Sequence, residues 1–321
     1  MSDINYQIST IKSQLTSAYP ADEALALAWW IAEEITGLSR TELQFGCKDT
    51  KNFAHTQEII DRLLRFEPIQ YIFGHTVWYG LDLKVTPATL IPRPETAELV
   101  EQILNFHTAS ADRSRPCRDK NSQFSILNSQ FSNAPVRVLD IGTGTGCIAI
   151  ALKKARPEWQ VTGIDISPEA VAVARENALR NHVEVDFRVA DIFSDEIEET
   201  INYQLSTFNL IVSNPPYICE SEKKDMRPNV LDYEPASALF VPDSDPLRFY
   251  RRIAQLFSPS PIPLSPSERG SGGVPLSLFF EINEAYAAEV AAMMAEAGYT
   301  NIRITQDIYG KDRIIEGRMA Q

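Results

Sequence analysis

The chain has 321 residues, 44% of them hydrophobic, with 43 acidic and 30 basic side chains and a net charge of −13. This length suits two domains better than one, and the negative charge repels nucleic-acid phosphates, which favours a protein or small-molecule substrate without direct nucleic-acid contact. The longest apolar run, Ala24 to Ala32, falls far short of the ~20 residues that cross a bilayer. With no signal-peptide pattern at the start, we expect a cytoplasmic protein with no membrane contact.

Cysteine and histidine patterns exclude the usual metal and disulfide frameworks. The four cysteines contain no C-x-x-C pair, and the four histidines show no i, i+4 pairing. We therefore expect reduced thiols and no metal site.

The first 75 residues have helical periodicity. Ile4, Ile8, Ile11 and Leu15 recur at helical spacing, and further periodic segments run from Pro20 to Gly37 and from Thr56 to Phe66. This predicts an N-terminal helical bundle domain over residues 1–75. A plain bundle of this kind is expected to bind a partner and not to catalyse a reaction.

The sequence pattern changes at residue 76. Residues 76–94 alternate in short runs punctuated by Gly80, Pro87 and Pro92, which predicts a hairpin linker. Residues 95–321 then alternate strand and helix, which predicts an α/β domain with a parallel sheet. The predicted strands are Val136 to Ile141, Gln160 to Ile164, Val185 to Val189, Asn209 to Ser213, Ser277 to Ile282, Asn301 to Thr305 and Arg313 to Gly317.

Two stretches interrupt this alternation. Residues 108–134 are polar, and residues 258–275 are rich in Ser, Pro and Gly, with little apolar surface to offset the entropy of ordering them. Both are interpreted as loop insertions that leave the core intact.

A glycine-rich turn follows the first strand of this domain. The strand runs into Gly142, Thr143, Gly144, Thr145 and Gly146, and a helix is predicted from Cys147. Glycines at such a turn let a ligand approach the backbone, and the helix start offers free N–H groups. The motif alone is weak, because similar turns bind nicotinamide and flavin dinucleotides, although G-x-G-x-G departs from their G-x-G-x-x-G fingerprint.

Two aspartates end the next two strands. Asp165, nineteen residues after Gly146, is placed to accept both ribose hydroxyls of an adenosine; alternatively, Asp165 and Ser167 cap the helix that begins at Pro168. Asp191 is placed to meet the adenine amino group, with Ile192 beside the ring; the alternative is an ordinary turn at the end of a strand.

A proline-locked segment carries the strongest chemical signal. Asn214, Pro215, Pro216 and Tyr217 follow a buried strand. The prolines fix the backbone and remove two amide donors, so the Asn214 side-chain oxygen and the Pro215 carbonyl are left as acceptors for an N–H₂ group. Tyr217 offers a flat face for a planar amide or base. A purely structural turn is the alternative.

Several stretches together resemble the HemK/PrmC family of glutamine-N5 methyltransferases, over nearly the whole chain outside the two insertions. The matching stretches are Phe66 to Gly74, Leu90 to Glu95, Asp140 to Gly146, Asn214 to Ile218 and Tyr233 to Ala236. The resemblance implies a helical N-terminal domain, a hairpin and a seven-stranded Rossmann-like class I S-adenosylmethionine-dependent methyltransferase domain with an antiparallel last strand. It also implies that residues 1–75 bind the release factor.

The resemblance further implies a substrate and a cofactor. The substrate is the glutamine of the Gly-Gly-Gln motif of class I peptide chain release factors, and the cofactor is S-adenosyl-L-methionine. Cofactor binding is carried over onto Gly142 to Gly146, Asp165 and Asn214, and substrate binding onto Asn214 to Tyr217. The family position at Ile192 often holds a larger aromatic residue, so this chain departs from the pattern there.

We expect catalysis to come from orientation of the substrate amide, without a dedicated catalytic base. An amide nitrogen is a poor nucleophile, and two hydrogen bonds to Asn214 and Pro215 would orient it for methyl transfer. The alternatives are an adenine-N6 methyltransferase acting on DNA or RNA, a non-catalytic cofactor-binding protein and a nucleotide-dependent oxidoreductase. The Asn-Pro-Pro-Tyr motif by itself does not separate glutamine from adenine.

Overall fold

The structure, a computed structural model, describes residues 4–45, 53, 56–108, 136–201, 205–258 and 276–319. Apart from Thr108 and Ser258, the two predicted insertions lie outside the described residues. The chain forms two compact units, one made of Met1–His75 and Met226–Glu234 and the other of Thr76–Asp225 and Pro235–Gln321.

Helices and strands of the described residues are numbered in chain order. The helices are α1 (Ile4–Leu15), α2 (Ala21–Thr36), α3 (Arg40–Phe45), α4 (Thr56–Leu63), α5 (Ile69–Phe73), α6 (Pro94–Thr108), α7 (Cys147–Ala155), α8 (Pro168–Arg180), α9 (Ile197–Ile201), α10 (Pro228–Leu231), α11 (Arg248–Leu256) and α12 (Ala287–Glu296). The strands are β1 (His75–Trp78), β2 (Leu81–Lys84), β3 (Arg137–Ile141), β4 (Gln160–Asp165), β5 (Asp186–Val189), β6 (Leu210–Ser213), β7 (Ile218–Cys219), β8 (Phe240–Val241), β9 (Ser277–Glu281), β10 (Tyr299–Gln306) and β11 (Asp312–Met319). None of these helices is long and apolar enough to span a membrane.

The first unit is helical because its apolar residues recur every three or four positions. α1 buries the four residues of its predicted stripe, Ile4, Ile8, Ile11 and Leu15, against a core shared with α2 and α4. α2 ends at Gly37, whose φ of 68° and N–H bond to the Glu33 carbonyl form a left-handed C-cap.

A distant segment of the chain also belongs to the first unit. Met226–Glu234, which includes α10, joins Met1–His75. Arg227 forms an ion pair with Glu23 at 2.8 Å, and the Tyr233 hydroxyl donates to the Arg65 carbonyl at 2.8 Å. The sequence pattern gave no indication of this association.

The second unit is built on a seven-stranded sheet in the order β10-β11-β9-β6-β3-β4-β5. β3, β4, β5, β6 and β9 pair in parallel, and β11 pairs antiparallel to both β9 and β10. All seven predicted strands are present, with ends within two residues of the prediction. This confirms the predicted seven-stranded Rossmann-like sheet with an antiparallel last strand.

Helices cover both faces of the sheet because the central strands are apolar on both sides. Every residue of β6 and of β9 is buried. Alternate side chains point to opposite faces, so Phe280 packs in one core with Ile253 and Val290, and Phe279 packs in the other with Ile103 and Val138. The carboxyl ends of the parallel strands therefore meet at a single edge, where doubly wound sheets bind ligands.

A two-stranded hairpin, β1 and β2, leads into α6. Tyr79 and Gly80 join its strands, and their φ angles of 49° and 71° correspond to a two-residue turn with both centres left-handed. Leu81 and Leu83 are buried in the core that β3 and α7 share. The hairpin is thus fastened to the sheet unit.

Candidate active site

One cavity of about 490 Å³ lies at the carboxyl ends of β3, β4 and β6. Ten of the twelve predicted site residues line it: Gly142, Thr143, Gly144, Thr145, Asp165, Asp191, Ile192, Asn214, Pro215 and Pro216. Gly146 and Tyr217 do not line it. Residues that the sequence did not single out complete the wall, among them Thr96, Phe193, Ser237, Arg248 and Phe249.

The glycine loop presents open backbone to this cavity. Gly142 and Gly144 have φ angles of 71° and 54°, and a Cβ at either would meet no atom within 4 Å. Gly146 serves a different purpose, because a Cβ there would lie 2.9 Å from the Phe187 ring and 3.1 Å from the Ala174 Cβ. Gly142 and Gly144 thus form a concave backbone surface, whereas Gly146 allows close packing against α8 and β5.

A buried carboxylate lies directly beneath the loop. Asp140, at the end of β3, is fully buried and accepts a hydrogen bond from the Thr143 hydroxyl at 2.6 Å. Its other oxygen, Oδ1, has no partner among the described residues. Burial raises the pKa of Asp140 from 3.8 to about 7, against the opposing effect of Thr143.

A buried amide holds the loop from the other side. Asn177 on α8 is fully buried. Its Nδ2 donates to the Thr145 carbonyl at 2.9 Å and to the Lys84 carbonyl at 3.0 Å, and its Oδ1 accepts from the Lys84 N–H at 2.6 Å. A single side chain therefore joins α8, the glycine loop and β2.

The Asp165 carboxylate joins the ends of two neighbouring strands. Its Oδ2 accepts from the Gly144 N–H at 2.9 Å and its Oδ1 from the Ser167 N–H at 3.0 Å. Burial raises the pKa of Asp165, and the backbone donors of Ser167 and Gly144 oppose that rise. The Ser167 hydroxyl caps α8 by accepting from the Ala170 N–H. Ser167 therefore caps the helix while the Asp165 carboxylate lines the cavity.

Asp191 lies in a turn at the end of β5. Its Oδ1 accepts from the Phe193 N–H at 2.8 Å, as the turn interpretation of the sequence expected, and the residue lines the cavity as well. Arg252 holds this turn by donating to the Ile192 carbonyl at 2.7 Å and the Ser194 carbonyl at 3.1 Å. Ile192 is buried between the cavity and the core.

Aromatic surface is present next to Ile192 in the cavity wall. Phe193 and Phe249 pack edge to face with ring centroids 5.3 Å apart. The Arg248 guanidinium lies 4.8 Å from the centroid of the Phe193 ring. These two rings supply aromatic surface to the cavity wall next to Ile192, a position that carries only an aliphatic side chain in this chain.

Asn214 is anchored by side chains that are remote in the sequence. Its Nδ2 donates to the Thr96 hydroxyl oxygen at 3.3 Å, and that hydroxyl donates to Glu281 Oε2 at 2.7 Å. The Tyr217 hydroxyl donates to Glu281 Oε1 at 3.1 Å, and the Tyr217 carbonyl accepts from Asn283 Nδ2 at 3.3 Å. Tyr217 is therefore held by hydrogen bonds to Glu281 and Asn283.

Glu281 and Thr96 belong to this network but were not predicted from the sequence as site residues. Glu281 is only 1% exposed, within a strand whose other residues are also buried. A carboxylate in an apolar predicted strand is rare unless it is paired, so Phe280-Glu281-Ile282 carried a usable signal. Thr96 directly follows one of the matched stretches and carried no signal of its own.

The described residues contain no group of three or more His, Cys, Asp or Glu side chains suited to a metal ion. The sheet order, the glycine loop after β3 and the carboxylate at the end of β4 together define a class I methyltransferase. Enzymes with such a domain use a cofactor of the S-adenosylmethionine type.

Comparisons with known proteins specify the family. Residues 105–231 match the methyltransferase small domain, and residues 8–74 match the PrmC N-terminal domain. Similar proteins named release factor glutamine methyltransferase come from Bacteroides thetaiotaomicron (40% identical; 95% of this chain and 96% of the relative), Flavobacterium psychrophilum (36%; 97% and 97%) and Streptococcus pneumoniae (38%; 73% and 73%). The chain belongs to the release factor glutamine methyltransferase family.

Proposed function

We propose that this chain transfers a methyl group from S-adenosyl-L-methionine to N5 of the glutamine in the Gly-Gly-Gln motif of class I peptide chain release factors. Asn214 and Pro215 carry the proposal. They stand together on the wall of the cavity that the glycine loop also lines, and both can accept hydrogen bonds from a primary amide.

The cavity suits the cofactor in shape and in chemistry. Gly142 and Gly144 leave open space where any other residue would carry a Cβ, which suits close approach of a ligand to the backbone. The Asp165 carboxylate has lone pairs left for ribose hydroxyls, and Asp191 with Ile192, Phe193 and Phe249 forms a wall suited to adenine. Asn214 belongs to this cofactor set as well as to the substrate site. When bound, the cofactor supplies an electrophilic methyl group.

The protein's own contribution is to orient a weak nucleophile. In the proposed complex, the Asn214 Oδ1 and the Pro215 carbonyl each accept one N–H of the substrate amide, which fixes the direction in which its nitrogen faces. The same acceptors stabilise positive charge as it develops on that nitrogen. Orientation of this kind is worth up to ~7–11 kcal/mol of a barrier, so no dedicated base is required during the transfer, and the extra proton on the methylated nitrogen leaves to solvent afterwards. Because Tyr217 is not among the residues that line the cavity and its hydroxyl donates to Glu281, we propose that Tyr217 supports the motif.

Intact-mass analysis tests the proposal. A purified class I release factor is incubated with the protein and S-adenosylmethionine, beside a factor whose Gly-Gly-Gln glutamine is replaced by alanine. One added methyl group, absent from the alanine control, is expected. No methylation of the factor, together with methyl transfer to adenine in DNA or RNA, would instead support the adenine-N6 alternative.

We further propose that the first unit binds a second region of the release factor. Its helical core and its match to the PrmC N-terminal domain support a binding role. Deleting the residues before Val77 is expected to raise KM for the full-length factor much more than KM for a short Gly-Gly-Gln peptide. The peptide reports on the catalytic unit alone, so equal effects on both substrates would contradict the proposal.

A further inference from the structure

A primary amide such as that of Asn214 can occupy its site in two orientations of nearly the same shape. One presents a carbonyl oxygen to the cavity and the other presents an N–H₂ group. Only the first can accept a hydrogen bond from a substrate amide nitrogen. The proposed function therefore requires that something determine the orientation of Asn214.

The buried carboxylate of Glu281 gives the hydrogen-bond network its direction. Its two oxygens lie 2.7 Å from the Thr96 hydroxyl and 3.1 Å from the Tyr217 hydroxyl. In its ionised form this carboxylate only accepts, so each hydroxyl then uses its single proton on Glu281. Thr96 is itself 2% exposed, so bulk water does not compete for these bonds.

Thr96 can consequently only accept a hydrogen bond from Asn214. Its Oγ1 lies 3.3 Å from the amide of Asn214, and with its proton committed to Glu281 it offers lone pairs alone. The atom of Asn214 next to Thr96 must be the donor, Nδ2. The carbonyl oxygen Oδ1, bonded to the same carbon, then remains for the substrate.

Burial opposes ionisation of Glu281, whereas its hydrogen-bond donors and a neighbouring guanidinium favour it. Burial raises the pKa of Glu281 and Glu95 adds to the rise, whereas the donors Thr96 and Tyr217 and the charge of Arg313 lower it. The Arg313 guanidinium is held in place by the Asp307 carboxylate at 3.2 Å and the Ile282 carbonyl at 3.2 Å. The charged group that favours the carboxylate is thus fixed by its own hydrogen bonds.

We propose that Thr96, held by Glu281, is a positioning residue that fixes the Asn214 amide with Oδ1 directed at the substrate amide. This inference rests on the proposed function for its catalytic consequence. The orientation itself can be measured without any substrate.

Two substitutions at one position provide the test. Thr96→Val keeps nearly the same shape and removes the hydroxyl, so both amide orientations of Asn214 become accessible; Thr96→Ser keeps the hydroxyl. We expect Thr96→Val to lower kcat at least tenfold with little change in KM for the factor or in the dissociation constant of the cofactor. Thr96→Ser should retain most of the wild-type kcat, because it keeps the hydroxyl.

A glutamate-containing peptide supplies a readout that a general structural defect would not change. In the wild type, Asn214 Oδ1 should favour a Gly-Gly-Gln peptide over the corresponding Gly-Gly-Glu peptide, whose carboxylate only accepts hydrogen bonds. In Thr96→Val, an inverted Asn214 can donate to that carboxylate, so the ratio of the two dissociation constants should fall severalfold. An unchanged ratio, or equal kcat values for the Val and Ser variants, would overturn the proposal.

Amide NMR of selectively ¹⁵N-asparagine-labelled protein separates this inference from the proposed function. Without substrate, the Asn214 side-chain N–H₂ protons should show cross-relaxation to the β protons of residue 96, retained in Thr96→Ser and weakened by averaging of the two amide orientations in Thr96→Val. Absence of this contact in the wild type would overturn the orientation. A wild-type protein that shows the contact and yet does not methylate a release factor would refute the proposed function alone.

Discussion

Asp165 accepts a hydrogen bond from the backbone N–H of Gly144 at 2.9 Å, so the carboxylate that ends β4 is tied to the loop that follows β3. The same carboxylate accepts from Ser167 at the start of α8. The proposed ribose acceptor and the proposed backbone surface for the cofactor are therefore positioned by one another.

Replacing Asp165 with alanine should weaken cofactor binding. The change removes the proposed ribose acceptor and leaves the Gly144 N–H without its partner, so the dissociation constant for S-adenosylmethionine, measured by calorimetry, should rise tenfold or more. Asp186→Ala, which removes a carboxylate on the neighbouring β5 that pairs with Arg188 at 2.8 Å, should leave the constant unchanged. An unaltered constant in Asp165→Ala would refute the ribose role.

Replacing Asn214 with alanine should impair turnover much more than cofactor affinity. We expect a fall in kcat on the order of 100-fold, because the substrate amide loses one of its two orienting acceptors. The matched control is Asn209→Ala at the opposite end of β6, where Asn209 Oδ1 accepts from the Arg137 N–H at 2.9 Å. That variant should lose about 1 kcal/mol of stability and keep its kcat; near-normal turnover in Asn214→Ala would exclude the assignment.

Replacing Asn177 with alanine should destabilise the sheet unit and loosen the glycine loop. The variant loses three hydrogen bonds and leaves the buried Thr145 carbonyl and the part-buried N–H and carbonyl of Lys84 without these partners. The free energy of unfolding in urea should drop by about 2–3 kcal/mol, with weaker cofactor binding. Leu179→Ala, at a position that is 77% exposed on the same helix, should change stability by less than ~0.5 kcal/mol.

Replacing Asp140 with asparagine should reduce the pH dependence of stability. The pKa of Asp140 is about 7 in the folded protein against an ordinary 3.8, so the folded state binds more protons than the unfolded state between these values. Stability from this group is therefore fully present below about pH 4 and is lost as pH rises through 7. Asp140→Asn should melt at a higher temperature than the wild type at pH 8, with a smaller difference at pH 4. Equal differences at both pH values would contradict this account.

Local sequence patterns were sufficient to predict the sheet but not the hydrogen-bond network of Thr96 and Glu281 that holds Asn214. β6 and β9 are buried on both faces and contain the apolar runs Leu210 to Val212 and Leu278 to Phe280, and α1 repeats its buried residues at helical spacing. The glycine loop and Asp165 were predictable because each directly ends a strand.

The bonds that orient Asn214 depend instead on residues that are far apart along the chain. Asn214 and Thr96 are 118 positions apart, and Thr96 and Glu281 are 185 apart. Only the folding of α6 against the sheet brings them together, and no spacing rule anticipates that. Tyr217 illustrates the same limit, since its hydroxyl found a partner 64 positions away on β9.

The association of Met226–Glu234 with the first unit has a consequence for how this enzyme can be divided. The chain leaves one unit for the other after His75, after Asp225 and after Glu234, so no single break separates them. A chimera that exchanges only the first 75 residues with those of a relative would combine one protein's helices with another's nine-residue segment. Because Arg227 and Tyr233 in that segment bond to Glu23 and Arg65, transplanting the first unit intact requires both pieces to move together.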